Sequence, residues 1–152
     1  MAEKKCLAIN PDCVLLRLSW MYDIKTMREN EHGDFFRNLL AQINGTGELC
    51  YPIYDKRGIT DVNEVVANLE KAFHIDGGVY NFGSSNDKST FALVYELFES
   101  MKWDLDRLHK NEEAFKTNPR NLCMCQDKIE SYGISFLTTT NGLLRNFEKI
   151  MD

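Results

Sequence analysis

Cys13-Val14-Leu15-Leu16-Arg17-Leu18, continued without a break by Ser19-Trp20-Met21-Tyr22-Asp23, is the stretch on which the fold turns. Its first part is apolar except for Arg17 and follows the Asn10-Pro11-Asp12 turn cluster. A nearly continuous apolar run suits a strand covered on both faces in a parallel sheet better than an alternating surface strand. Such a strand requires neighbouring strands and the helices that connect them. The residues on either side supply these signals.

Upstream, residues 2–10 lack helix breakers and combine Leu7 and Ala8 with Glu3, Lys4 and Lys5, as the tail of a helix does. Downstream, Phe35, Phe36, Leu39, Leu40 and Ile43 recur at helical spacing, with Asp34 as N-cap and Asn44-Gly45 as the stop. A strand through Leu49–Tyr54 is confined to an edge by Pro52, which has no N–H for a ladder. Thr60 or Asp61 caps a helix whose Val62, Val65, Val66, Leu69, Ala72 and Phe73 form one stripe, and Asp61 with Glu64 approximates a capping box. Gly77-Gly78 ends it and introduces a strand over Val79-Tyr80-Asn81-Phe82, closed by Gly83-Ser84-Ser85-Asn86. Ser89 caps a helix with apolar residues on more than one face, which implies deep burial. A short strand over Leu105–His109, a short helix over Asp127–Tyr132 and a last helix over Asn141–Met151 complete the chain. Strands alternating with helices make the expected class α/β.

The chain has 152 residues, with 43% hydrophobic and 27% charged, enough for one core and too few for a second full domain. Its net charge of −5 argues against a track for nucleic-acid backbones. No apolar run reaches membrane-spanning length and Met1–Lys5 leads into no signal-peptide core, so the expected compartment is the cytoplasm. The five cysteines, Cys6, Cys13, Cys50, Cys123 and Cys125, are an odd number and fit reduced, mostly buried thiols better than a disulfide framework. Only Cys123 and Cys125 are closely spaced, with every histidine distant in sequence, so no metal site is assigned.

Local catalytic motifs are missing. None of the nine glycines builds a G-x-G-x-x-G turn; Gly45-Thr46-Gly47 follows a helix and reads as its ending. The phosphate-loop and nucleophile-elbow patterns are absent as well. Asp104 with Asp106, and Glu112 with Glu113, read as solvated loop carboxylates rather than acid/base pairs.

An ordered constellation carries more information. Arg17-Leu18-Ser19-Trp20-Met21-Tyr22-Asp23 resembles the R-T-S-W-V-Y-G segment of dTDP-4-dehydrorhamnose reductases, which are extended short-chain dehydrogenases. In the family's order there follow Asp34–Leu40, similar to N-F-V-K-T-M-L, and Arg57–Val66, similar to P-T-x-x-x-D-L-A. Gly78–Gly83 resembles G-I-Y-H-L-A, while Asn118–Asn121 and Lys128–Ile134 resemble R-P-A-N and K-L-x-x-x-F-G-I. The resemblance covers essentially the whole chain and is to the family's C-terminal, substrate-binding part, with the N-terminal dinucleotide-binding half missing.

That resemblance implies a sugar-nucleotide substrate-binding domain over residues 1–152, of which 1–23 is a remnant of the dinucleotide-binding part. It implies that Arg17, Ser19, Trp20, Arg57 and Asn121 contact a nucleotide-linked sugar. Arg17 and Arg57 suit carboxylate pairing at least as well, and the lesser alternative for Trp20 is a core position. No catalytic residue is assigned, since no tyrosine here has a lysine four positions on. Hydride transfer with NADPH or NADH would therefore need a dinucleotide-binding half from elsewhere, and the chain alone is expected to bind no cofactor. Asn118 stands in place of the arginine of R-P-A-N, and Cys125 where aspartate is usual. The alternatives are a non-catalytic regulatory or interaction module, as in the regulatory beta subunit of methionine adenosyltransferase, which the chain also resembles, or the remnant of a disrupted reductase gene. Loss of sheet neighbours around Val14–Leu18 would promote self-association or pairing with a protein partner.

Overall fold

Three of the helices start where a short polar side chain takes up their first free amides. In the computed structural model, which describes residues 2–24 and 33–151, Asp34 accepts from the Arg37 amide at 2.9 Å, Asp61 from Asn63 and Ser89 from Ala92. Met1, at the head of the Met1–Lys5 stretch, lies outside the described residues. The elements in order are α1 (Ala2–Ile9), β1 (Val14–Leu18), β2 (Trp20–Tyr22), α2 (Phe35–Asn44), β3 (Leu49–Pro52), β4 (Asp55–Arg57), β5 (Ile59–Asp61) and α3 (Val62–Ala72). There follow β6 (Gly78–Phe82), α4 (Thr90–Met101), a 3-10 turn at Leu105–Arg107, β7 (Leu108–Asn111), β8 (Arg120–Leu122), α5 (Asp127–Glu130) and α6 (Thr139–Met151).

The strands form four parallel pairs: β1 with β6, β2 with β5, β3 with β7, and β4 with β8. Parallel pairing needs a long connection between partners, and the intervening helices provide it. The class is therefore α/β, as the alternation of elements implies. The larger core gathers Tyr22, Phe36, Leu39, Leu97, Phe98 and Phe147 between β2, α2, α4 and α6. There Phe147 stacks on Phe36 with centroids 4.3 Å apart and meets Trp103 edge-on at 5.1 Å. The smaller core joins Val65 and Ala72 of α3 to Tyr80 and Phe82 of β6, with Ile129, Ile134 and Phe136.

Several expectations need correction. β1 is not covered all round: among the described residues it pairs only with β6, Val14 to Leu16 are half-buried, and Leu18 is 49% exposed. The α3 stripe divides: Val65 and Ala72 are buried, whereas Val66 and Phe73 are 65% and 76% exposed. Asp61 and Glu64 form no reciprocal capping box, because Glu64 accepts from the Leu137 amide and pairs with Arg145 instead. The segment assigned to a strand at Leu105 opens as a 3-10 turn, whose cap Asp104 accepts from the Asp106 amide, and β7 starts at Leu108. The cysteines are all free, but they are not core residues: Cys13 is half-buried and the other four are exposed.

Candidate functional site

The strand β1 ends at Leu18, and the chain passes through Ser19 into β2, which pairs with β5 in the register Trp20 to Ile59. This brings the start of β2 beside Gly58, at the junction of β4 and β5. A side chain at Gly58 would land on the Ser84 carbonyl, so glycine permits the close approach of those two loops. From the other side β8 pairs with β4, setting Asp55 opposite Arg120, Lys56 opposite Asn121 and Arg57 opposite Leu122. The result is a cleft of about 380 Å³ lined by Ser19, Trp20, Arg57, Gly58, Asn121 and their neighbours.

Four of the five residues that the family resemblance singles out thus share one cleft. Trp20 is 57% exposed and so belongs to this surface rather than to a core. Its ring carries the Arg57 guanidinium 3.8 Å from the centroid. The Ser19 hydroxyl bonds to the Thr60 hydroxyl and donates to the Trp20 carbonyl at 3.1 Å. Asn121 uses its carbonyl oxygen locally, accepting from the Cys123 amide at 3.2 Å, which leaves its NH2 group for the cleft. Arg17 lies elsewhere: its guanidinium makes a bidentate pair with Glu3 of α1 at 2.6 and 2.7 Å. That contact lowers the Glu3 pKa and raises that of Arg17, chiefly through the side-chain hydrogen bonds.

Arg57 is both a wall of the cleft and part of a buried cluster. Its Nε and Nη2 donate to the two Asp55 oxygens at 2.9 Å, and its backbone carbonyl accepts from Asn86 Nδ2. Thr90 donates to Asp55 as well, and Arg120 approaches Asp55 Oδ1 at 3.0 Å while lying 3.5 Å above the Phe115 ring. Phe115 has φ 63, an unusual conformation for an aromatic residue. One carboxylate therefore faces two guanidinium groups, and the cluster carries surplus positive charge. The sequence reading missed Asp55 and Arg120. The signal was available at Asp55, because residues two apart on a strand share a face and so bring a carboxylate beside Arg57.

Trp20 also borders a second cleft, of about 410 Å³, with Met21, Asp34, Phe35, Asn38, Gln42 and Tyr51 along its walls. Tyr51 donates to Gln42 there, and burial pushes its phenol up to about 12, so it stays protonated. Cys123 and Met124 separate the first cleft from a polar one that contains Asn86, Lys88, Thr138 and Thr140. Partial desolvation by its neighbours raises the Cys123 thiol against the opposing effect of Lys56. No group of three or more metal-ligating side chains occurs among the described residues. Among them, too, no helix is long and apolar enough to cross a membrane.

The fold is similar to about half of several larger solved structures. Over 98% of this chain it is similar to an ADP-L-glycero-D-manno-heptose-6-epimerase from Helicobacter pylori, with TM-score 0.69 and 16% identity across 48% of that chain. The dTDP-4-dehydrorhamnose reductase of Bacillus anthracis, solved with NADP, matches 90% of this chain at TM-score 0.66 and 15% identity, over 47% of its own length. The UDP-glucose 4-epimerase of Thermotoga maritima, solved with UDP-glucose, matches 91% at TM-score 0.61 and 19% identity, over 47% of its length. At these identities the likeness is one of fold, and the chain spans about half the length of the structures it matches. No family model and no curated protein matches the sequence.

Proposed function

We propose that this chain is the substrate-binding portion of a dTDP-4-dehydrorhamnose reductase-like protein and holds a nucleotide-linked sugar in the cleft beside Trp20, without transferring hydride itself. The observation that carries the reading is the convergence of Ser19, Trp20, Arg57 and Asn121 from three separated segments onto one cleft. In this reading residues 1–152 are a sugar-nucleotide-binding domain and 1–23 are the remnant of a dinucleotide-binding part.

The chemistry of the cleft suits such a ligand. A diphosphate would compensate the second guanidinium of the Asp55 cluster, which has one carboxylate for Arg57 and Arg120. Trp20 offers aromatic surface to a pyranose, while Ser19 and Asn121 in the same cleft supply polar partners for its hydroxyls. Phe35 and Tyr51, across Trp20, offer aromatic surface to a base. Arg17, held by Glu3, acts structurally. Residues 1–152 contain no Tyr-x-x-x-Lys pair to supply the general acid, so reduction of a keto-sugar with NADPH or NADH would require a dinucleotide fold in addition to them.

Titration calorimetry with dTDP-glucose and, separately, with NADPH tests this. The expected result is one-to-one binding of dTDP-glucose and no heat from NADPH. Trp20→Ala should weaken the sugar nucleotide by about tenfold or more, a loss of roughly 1.4 kcal/mol. Arg57→Lys keeps a charge beside Asp55 but loses the bidentate fork, and should weaken binding as well. No dTDP-glucose binding at millimolar concentration would overturn the reading in favour of a non-catalytic interaction module, for which the exposed apolar face of α3 is the favouring feature.

A further inference from the structure

We infer that Cys123 and Cys125 are a site of reversible oxidation, a dithiol–disulfide pair in the wall of the Trp20 cleft that takes a low-molecular-weight disulfide such as oxidised glutathione as its reaction partner. The inference concerns the wall of the cleft and not its occupant, so it does not rest on the sugar-nucleotide reading.

Chain geometry places the pair. Residues two apart have Cα atoms no more than about 7 Å from each other even in a fully extended chain. That is at the margin of the roughly 4.4–6.8 Å that a disulfide spans. A small bend between Cys123 and Cys125 therefore brings the sulfurs into range, and no remote element has to move. The segment has little to oppose such a bend. It lies between Leu122, which ends β8, and Asp127, which starts α5. Among the described residues no backbone-to-backbone hydrogen bond involves residues 123–125. Two side chains hold it instead: Asn121 Oδ1 accepts from the Cys123 amide at 3.2 Å, and Asn81 Nδ2 donates to the Cys125 carbonyl at 2.9 Å. Just beyond, buried Gln126 is anchored by donating to the Gly83 carbonyl, which confines the movement to these residues.

Position gives the bond a consequence. Cys123 and Met124 line both the cleft beside Trp20 and the polar cleft next to it. Drawing Cys123 toward Cys125 pulls its amide from Asn121, which lines the first cleft, and displaces Met124 from the partition between the two. In the reaction one cysteine thiolate attacks a sulfur of the small disulfide, forming a mixed disulfide and releasing a thiolate that takes up a proton. The second cysteine thiolate then attacks the protein sulfur of that mixed disulfide and expels the other thiolate, which is protonated in turn. The two cysteines lose two electrons and two protons, and the small disulfide is reduced to two thiols. A ring closed over a single intervening residue is strained, and strained disulfides are the readily reduced ones. The bond thus opens and closes with the surrounding thiol pool. Cys6, Cys13 and Cys50 have no cysteine so near in sequence.

Equilibration of the full chain in glutathione buffers of graded oxidised-to-reduced ratio, followed by acid quenching, alkylation, intact mass and peptide mapping, tests the inference. The expected result is the loss of two hydrogen atoms per chain, with the crosslink mapped to Cys123 and Cys125 and fully reversed by excess reduced glutathione. Trp20 borders the same cleft, so indole emission should shift along the same titration curve. Trp20→Phe, which leaves Trp103 in the core, should abolish that shift. Cys125→Ser should abolish the crosslink. Free thiols or glutathione adducts alone at the most oxidising ratio would overturn the inference. So would pairing of either residue with Cys6, Cys13 or Cys50, a bond that excess reduced glutathione does not reopen, or a crosslink that leaves the Trp20 emission unmoved.

Discussion

The two cores of this molecule contain similar residues and end in different states. Around Phe36, Phe98 and Phe147 the larger core is closed on every side, with Leu39, Val94, Leu97 and Phe147 fully buried. Around Tyr80 and Phe82 the smaller core is sealed by α5 and the Ile134–Phe136 segment, yet toward β1 it thins to half-buried Val14 and Leu16. The difference does not lie in hydrophobicity, since Val14-Leu15-Leu16 is as apolar as any buried stretch here. It lies in how many elements surround each strand. Burial is a property of neighbours, and apolar sequence states only the demand for them.

Truncation on the closed side should break the contrast most sharply. Phe147→Ala removes a ring that stacks on Phe36 and meets Trp103 edge-on, and should cost about 3–5 kcal/mol, measured by urea unfolding. Leu16→Ala, on the half-covered strand, should cost clearly less. Equal losses would mean that the two regions are equally packed and that the contrast is false.

A second contrast concerns polar groups. The closed side has a buried network in which Asn146 Nδ2 donates to the Tyr22 hydroxyl at 2.7 Å and to Asp61 Oδ2 at 3.0 Å, while Arg145 reaches Asp61 and Glu64. It ties α6 to β2 and to the start of α3. Asn146→Ala leaves the Tyr22 hydroxyl and an Asp61 oxygen without this donor, and should cost roughly 1–3 kcal/mol. For Asp61, burial acts to raise the carboxyl, but hydrogen bonds from Asn63 and Asn146, with Arg145 nearby, outweigh it and hold the pKa below the ordinary value. A depressed carboxyl stabilises the fold above its unfolded pKa, and that stability is lost as pH falls through the folded one. Urea midpoints should therefore drop as pH falls below about 4, and Asn146→Ala should flatten that drop. An unchanged acid slope would separate Asn146 from the Asp61 charge.

Much of this was legible in the sequence, and the gaps have physical causes. α2, α4 and α6 carry periodic apolar faces, and α2 to α4 carry short polar caps, so a local pattern located them. β2, β4, β5 and β8 have three residues each, too few for an alternation to register, and are defined by remote parallel partners. The α3 stripe shows the opposite failure. Its period was plain from Val62 to Phe73, but periodicity cannot say which part of a wide apolar arc has something to lie against. At the site, Ser19, Trp20, Arg57 and Asn121 came from ordered motif resemblance. Asp55 and Arg120 depend on the pairing of β4 with β8, which spans more than sixty residues and leaves no local trace.

The smallest effect should come from the exposed end of the same stripe. Phe73→Ser removes a large apolar side chain, which in the closed core would be severe. Here the ring is 76% exposed and touches only the rim of the groove beside Leu69, so little area is returned to water on unfolding. The change in unfolding free energy should stay within about 0.5 kcal/mol. If the loss instead approaches that of Phe147→Ala, Phe73 packs into the smaller core in solution, the β1 side is closed, and the distinction between the two regions fails.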